Sequence, residues 1–198
     1  LTAVAEWVPS VTDDRLMVEA LWIQQSYHEV DEGLAAKCLQ LPTGEARAAT
    51  VRVLADEAVF GSLSKERMAE LIAGSVTDEH PRVRLEAVRA LSFVPSLEAI
   101  ELAWKCTTKP VDYWISYTLA HTVGALQPVW EPSLKDGELA KRNPEAAKYL
   151  ADYGVASAPG TQAQGIIDRL LSARTNAKDK EAAFEQLGGM KGNAENGK

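Results

Sequence analysis

The sequence has few of the residues that usually carry chemistry. Only two of its 198 residues are cysteines and three are histidines. It contains no HExxH, CxxCH, GxSxG or GxxxxGKS/T motif. Its carboxylates are scattered rather than paired for acid–base catalysis, and no nucleophile stands beside a base. We therefore expect this chain to hold no catalytic residue, no cofactor and no metal ion.

Cysteine is too sparse to predict a disulfide or a metal site. Cys38 and Cys106 are placed on the second helices of two repeats, two repeats apart in the register described below. Stacked helices lie about 8–10 Å apart, so the two thiols are too distant to bond to each other. No metal-ligand spacing surrounds either of them. We expect both to be buried as small apolar side chains.

Long apolar runs and excess positive charge are also absent. No run of 18 apolar residues occurs, so the sequence predicts no insertion of this chain into a membrane. The formal net charge of −7 argues against a nucleic-acid partner, which needs a basic face. Five arginines are nevertheless close in the repeat register: Arg47, Arg52, Arg82, Arg84 and Arg89. Because the chain begins at Leu1 without Met, we expect it to be a fragment of a longer protein.

The sequence does contain a repeated helical pattern. Its clearest copy is Asp78–Leu91, DEHPRVRLEAVRAL, whose apolar positions fall at helical spacing. Weaker copies are RLMVEALWIQ at 15–24, RAATVRVL at 47–54 and WISYTLAHTV at 114–123. Subtracting the numbers of the matched residues Ala20, Thr50, Ala87 and Thr118 gives spacings of 30, 37 and 31 residues. Repeats of this length are typical of stacked helix pairs.

The pattern predicts an all-α fold. We expect a HEAT-like α-solenoid of about four helix pairs with further C-terminal helices over residues 1–172. A linker or flexible tail at 173–198 would lead toward a missing C-terminal domain. The expected helices include about 13–27, 32–40, 45–59, 97–106, 111–127 and 144–153. Thr12 is the expected cap of the first helix, Pro128 and Pro132 are expected to stop the 111–127 helix, and Thr161 with Gln164 forms a capping box.

Two arginines occupy equivalent positions in the second and third copies. We interpret Arg47 and Arg84 as a structural ladder that bonds to loop carbonyls and to acids such as Asp78. Phosphate binding is the alternative.

Aromatic residues crowd into the fourth copy: Trp104, Tyr113, Trp114, Tyr117 and Trp130. One interpretation is a bulky cap that closes the open end of the repeat stack, because terminal repeats must cover their apolar side. A second is a docking surface for a neighbouring domain, because aromatic residues are enriched in interfaces. A ligand pocket is the third.

Three segments resemble a particular group of repeat modules. They are EALWIQQSYHEVDEGLAAKCLQ, DEHPRVRLEAVRALSFVPSLEAIELA and KPVDYWISYTLAHTVGALQPVW. They are similar to the HEAT-like modules of large secreted haem-binding proteins of planctomycete-type and verrucomicrobial bacteria. These are described as PVC-type membrane-bound dehydrogenase or haem-binding CxxCH proteins. The resemblance covers about residues 16–171, and its DYW-x-x-YTL-x-x-TV segment is unusual for generic HEAT repeats.

The resemblance implies a role between two redox domains. In that family a propeller similar to glucose/sorbosone dehydrogenases comes first and a c-type cytochrome domain ends the chain. The segment GNAENGK at 192–198 is similar to the run-in to such a cytochrome, so this chain stops before the haem motif. The implied function is a non-enzymatic periplasmic scaffold, with haem c only in the parent protein. Its partners would be neighbouring domains of the same polypeptide or another protein.

Two other functions remain open. The chain could be a free-standing HEAT-repeat protein–protein adaptor, with a partner held in the concave groove of the solenoid. More remotely, it could be an enzyme on a HEAT-like fold, such as a bilin lyase or an alkyl-base DNA glycosylase. The net charge of −7 counts against the enzyme alternative.

Overall fold

Every regular element of the part of the chain that the structure describes is helical. The computed structural model describes residues 6–11 and 13–156. The α-helices are α1 (Asp14–Ser26), α2 (Glu32–Cys38), α3 (Gly44–Phe60), α4 (Lys65–Leu71), α5 (Pro81–Leu91), α6 (Leu97–Trp104), α7 (Tyr113–Ala125), α8 (Gln127–Lys135), α9 (Glu138–Arg142) and α10 (Pro144–Ala156). Short 3-10 segments lie at Val8–Ser10, Ala73–Thr77 and Lys105–Thr108. The predicted all-α class is confirmed for these residues.

Short polar side chains begin many of these helices. Asp13 accepts hydrogen bonds from the backbone N–H groups of Arg15 and Leu16 at the start of α1. Side-chain caps of the same kind begin α2, α4, α6 and α7 at Asp31, Ser64, Ser96 and Asp112. Each satisfies an N–H group that has no partner within its helix. The predicted cap Thr12 lies outside the described residues, and Asp13 makes the cap hydrogen bonds instead.

The first helices of successive pairs pack on one another. α3 lies against α1, α5 against α3 and α7 against α5, and each also contacts the helix that follows it. Leu21, Leu54, Leu91 and Leu119 are buried in this arrangement. Between α5 and α7 the hydroxyl of Thr122 donates to the Val88 carbonyl at 2.9 Å. The core therefore runs as a continuous layer from α1 to α7.

The fourth copy of the repeat is one residue out of the predicted register. Thr118, which was matched to the buried Ala87, is only partly buried, whereas its neighbour Leu119 is fully inside. Subtracting 87 from 119 gives a spacing of 32 residues rather than 31. In the corrected register Ser116 corresponds to Arg84, so the arginine ladder does not continue into α7.

Two prolines do not end the helical structure as predicted. α7 ends at Ala125, and Pro128 lies in the first turn of α8, where a missing N–H costs no intrahelical hydrogen bond. Pro132 lies inside α8, and the N–H of Asp136 donates to the Pro132 carbonyl at 3.0 Å. The prediction was wrong because Pro128 starts a new helix, and α8 and α9 were missed.

Two other boundaries differ from the predictions. α6 ends at Trp104, so Cys106 lies in the following 3-10 segment rather than in a second helix. α10 runs past the expected end near residue 153 to Ala156. The chain divides into two compact units, Leu1–Asn143 and Pro144–Lys198. The predicted boundary at 172–173, the predicted capping box of Thr161 with Gln164 and the predicted tail at 173–198 lie outside the described residues.

Candidate functional site

Three large aromatic side chains of α7 are exposed. The exposed fractions of Tyr113, Trp114 and Tyr117 are 61%, 64% and 52%. The rings of Tyr113 and Trp114 meet edge to face with centroids 5.1 Å apart, and Tyr113 stacks on Tyr117 at 6.3 Å. Tyr117 in turn lies 4.3 Å from the ring of His121. These four side chains contact one another along the helix, and we call them the aromatic face.

The aromatic face lies on a helix without formal charge. The sequence of α7, YWISYTLAHTVGA, contains no Asp, Glu, Lys or Arg. Its core side is formed by other residues, among them Ile115, Leu119 and Val123. The exposed rings are therefore not needed to anchor the helix. Depletion of charge together with enrichment of Tyr and Trp is characteristic of the centre of a protein–protein interface.

The five predicted aromatic residues do not form one cluster. Trp130, on α8, is only 3% exposed, and its indole N–H donates to the Val123 carbonyl at 2.7 Å. Trp104 is half-buried at the end of α6. Trp130 is thus a core residue, as the cap interpretation requires. The other interpretation, a docking surface, fits Tyr113, Trp114 and Tyr117, and His121 joins them as a residue that the sequence analysis did not select.

Arg47 connects two successive inter-pair loops. Its guanidinium donates to the carbonyls of Leu41 and Pro42 at 2.7 and 2.9 Å, six and five residues earlier in the chain. It also binds both carboxylate oxygens of Asp78, at 2.7 and 2.8 Å. Such a two-pronged pair is stronger and more directional than a single hydrogen bond. Arg47 therefore fastens the loop before α3 to the loop before α5.

Arg84 repeats this arrangement one pair further on. It donates to the carbonyls of Asp78 and Glu79 at 2.7 and 3.0 Å, again six and five residues earlier. A third hydrogen bond reaches the Pro110 carbonyl, at 2.7 Å, in the loop before α7. Arg84 is only 4% exposed. Its guanidinium is committed to loop carbonyls and offers no open surface to a phosphate group.

Glu86 is a buried carboxylate that the sequence analysis missed. It is 1% exposed and is surrounded by arginines from two helices. Arg52 of α3 binds both of its oxygens, and the Nε–H groups of Arg82 and Arg89 donate to one oxygen each at 3.1 Å. The signal was the R-x-x-x-E-x-x-R spacing of 82, 86 and 89, which places both arginines beside Glu86 on one helix.

We expect the chain to lose stability in acid because of Glu86 and Asp78. Burial raises the pKa of both carboxyls. For Glu86, hydrogen bonds from Arg52 and Arg89 outweigh this effect of burial, and its pKa lies below the ordinary value of 4.5. For Asp78, the hydrogen bonds from Arg47 do the same, and its pKa lies below the ordinary value of 3.8. A carboxyl whose pKa is lowered by folding stabilises the folded state at pH values above its ordinary pKa. This stabilisation is lost as the pH falls through the pKa of the folded state.

Urea unfolding measured at a series of pH values between about 7 and 2.5 tests this expectation. The free energy of unfolding should fall most steeply below about pH 4. A Glu86→Gln variant should be less stable at neutral pH and show a shallower acid slope. Equal slopes for the two proteins would contradict the role given to Glu86.

A second buried carboxylate fixes the turn after α3. Glu57 is 2% exposed, and it accepts a hydrogen bond from the Ser62 N–H at 2.9 Å. A Cβ atom on Gly61 would overlap its carboxylate. The ring nitrogen Nδ1 of His28 lies 3.7 Å from the other oxygen, and the His28 backbone has a φ of 55°, in the left-handed region. This cluster joins the end of α1 to the end of α3.

Cysteines and metal-ligating side chains do not cluster at the aromatic face or at the arginine and glutamate clusters described above. Cys38 and Cys106 are free and fully buried, and burial raises the pKa of the Cys106 thiol to about 11. A buried, protonated thiol is a poor nucleophile. Within residues 6–11 and 13–156 no group of three or more His, Cys, Asp or Glu side chains is placed to hold a metal ion. In the same residues no helix is both long and apolar enough to cross a membrane.

Comparison with known proteins identifies no family. No protein-family model matches the chain, and no curated protein matches it. Any function must therefore be argued from the geometry of the aromatic face and of the arginine clusters beside it.

Proposed function

We propose that the chain is a non-enzymatic helical-repeat scaffold that docks a neighbouring protein surface on its aromatic face. The observation that carries the proposal is the exposure of Tyr113, Trp114 and Tyr117 on an uncharged helix. Aromatic side chains supply most of the binding energy of many interfaces, because they bury a large area at low entropic cost. Leaving three of them in water would have no benefit for an isolated chain.

The packing of the helices supports a HEAT-like solenoid as the architecture of this scaffold. α1, α3, α5 and α7 follow one another in a single layer, and each contacts the next helix in the chain. Arg47 and Arg84 add polar links between consecutive loops. A repeat stack transmits position only if each pair is fixed to the next. These links would make the stack a rigid spacer.

The resemblance of the sequence extends this proposal to a specific setting. In this setting the chain is one module of a periplasmic redox protein and separates a sugar-dehydrogenase-like propeller from a c-type cytochrome domain. The haem belongs to the parent protein and not to this chain. The native-length gene product, expressed in a host that matures c-type haem, should show sharp haem c bands in its reduced visible spectrum. A native chain that ends near Lys198 and carries no haem would contradict this setting and leave the free-standing adaptor.

Replacing Trp114 by alanine should leave the stability of the chain nearly unchanged. Because the indole is mostly in water, we expect the free energy of unfolding to change by no more than about 0.5 kcal/mol. Urea unfolding of the two proteins measures this difference. A loss of several kcal/mol would show that Trp114 is a core residue and would remove the basis for docking.

The docking itself is testable by hydroxyl-radical footprinting with mass spectrometry. Trp114 and Tyr117 should be oxidised readily in the 198-residue chain and be protected several-fold in the native-length protein. Phe60, which is exposed at the end of α3, serves as a reference far along the sequence from α7. Equal oxidation of Trp114 in both proteins would contradict docking within the parent.

A further inference from the structure

We propose that the surface formed by α5 and the aromatic face binds a carboxylate-rich segment of a partner protein. This inference rests on the proposed docking function and adds the chemistry of the partner. Arg82 and Arg89 of α5 are the residues that determine it. Their side chains are 56% and 35% exposed, although both donate to a carboxylate that is almost fully buried.

The buried Glu86 orients the two arginines toward solvent. Arg82 and Arg89 each use the Nε–H group for Glu86, at 3.1 Å. Within the described residues, their terminal Nη groups donate no hydrogen bond. The guanidinium group of Arg89 also lies against the ring of Phe93, 5.9 Å from its centroid. The cations are thus held in place before a partner arrives, which reduces the entropy lost on binding.

The number of cations at this point exceeds what Glu86 requires. One carboxylate is contacted by three guanidinium groups, from Arg52, Arg82 and Arg89. On the α3 side the carboxylates Glu45 and Asp56 line one groove together with Arg52 and Arg82. On the α7 side Asp112 caps the helix, and α7 itself carries no acidic residue. Arg89 lies outside the acidic groove, and its ion pair is with the buried Glu86.

The arginines and the aromatic face belong to one surface. The hydrogen bond between Thr122 and Val88 joins α7 to α5, and His121 and Arg89 are the chain neighbours of those two residues. In the corrected register, Trp114 and His121 of α7 correspond to Arg82 and Arg89 of α5, and the axes of packed helices lie about 8–10 Å apart. A segment lying across both helices would meet guanidinium groups on one side and uncharged aromatic rings on the other.

The chemistry of the side chains on this surface indicates which kind of partner segment would bind there. A guanidinium group pairs best with a planar carboxylate, and exposed Tyr and Trp rings accept apolar side chains. The chain as a whole carries a net charge of −7 and would repel an acidic partner elsewhere. A carboxylate-rich segment with apolar anchors is therefore directed to this patch and to one orientation on it.

Fluorescence anisotropy with three labelled peptides tests the inference. The probes are EFEGFE, QFQGFQ and KFKGFK, titrated with the 198-residue chain. We expect EFEGFE to bind about tenfold more tightly than QFQGFQ at low salt and KFKGFK to bind most weakly. The advantage of EFEGFE should disappear at about 0.5 M NaCl, where surface charges are screened.

Variants assign the binding to the two arginines. Arg82→Gln with Arg89→Gln should abolish the preference for EFEGFE over QFQGFQ. Arg67→Gln is the matched control, because Arg67 is an exposed arginine paired with glutamates on α2 and α4 and should leave the preference intact. If the double variant fails to fold, the peptide series and the salt series on the unaltered chain decide the question.

The possible outcomes separate this inference from the proposed function. Equal binding of EFEGFE and QFQGFQ, lost in Trp114→Ala, would overturn the acidic partner and leave the docking function standing. Absence of EFEGFE binding, or binding that the two arginine substitutions do not change, would also overturn it. Docking in the native-length protein is decided independently by the footprint of Trp114.

Discussion

Replacing Arg84 by methionine is expected to destabilise the chain by about 3–5 kcal/mol. The substitution keeps most of the apolar stem but removes the donor of three hydrogen bonds, to the carbonyls of Asp78, Glu79 and Pro110. Because Arg84 is only 4% exposed, water cannot simply take the place of its guanidinium group. The loops before α5 and α7 would lose the group that holds them together.

Urea unfolding followed by circular dichroism measures this loss. Arg142→Met is the control, because Arg142 is also paired through its guanidinium group but with Glu98 and Glu101 at the surface. The control should change little, since exposed ion pairs contribute weakly. Arg84→Lys should recover only part of the loss, because a single ammonium group cannot reach all three carbonyls, which lie in two loops. A cost for Arg84→Met below about 1 kcal/mol would contradict the linking role.

Replacing Trp130 by alanine should cost about 3–5 kcal/mol, the typical range for truncating a buried aromatic side chain. The indole is 3% exposed, and α8, which carries it, packs against α6 and α7. Its N–H also donates to the Val123 carbonyl, near the end of α7. The substitution would therefore create a cavity and remove the bond that holds α8 to α7.

The pair of variants Trp130→Ala and Trp114→Ala compares two tryptophans sixteen positions apart by subtraction of their numbers. The first should lower the free energy of unfolding strongly, and the second should leave it almost unchanged. Trp130→Phe separates the contribution of the hydrogen bond from that of the buried ring. Phenylalanine retains most of the buried aromatic area but cannot donate the hydrogen bond, whose loss should cost about 1 kcal/mol in addition to the cost of the smaller volume. Similar losses for both alanine variants would contradict the assignment of Trp130 to the core and Trp114 to the surface.

Local signals in the sequence were sufficient for many helix starts. Asn143-Pro144-Glu145 stands at the start of α10, and Ser64 and Ser96, two serines of the type that caps helices, begin α4 and α6. Such starts can be read from the sequence because an N-terminal cap depends on a few consecutive residues. The ends were less predictable: Pro128 can stop one helix or start the next, and its neighbours do not decide between the two.

Burial was harder to predict, because it depends on helices distant in sequence. Tyr117 and Trp130 are both large aromatic residues, yet only Trp130 is buried. The register error at Thr118 has the same origin, since Thr118 and Leu119 both suit a helix and only packing on α5 distinguishes them. Glu86 was missed because a glutamate among arginines normally lies in solvent, and its burial requires Arg52 from α3.

Asp78 makes two adjacent helix pairs depend on each other for folding. Its carboxylate accepts hydrogen bonds from Arg47 of the preceding pair, while its carbonyl accepts one from Arg84 of its own pair. Neither arginine has its complete set of partners until both pairs are in place. Shared partners of this kind strengthen the interface between two helix pairs relative to the intrinsic stability of each pair. The pairs from α3 to α6 should consequently fold and unfold as one cooperative block.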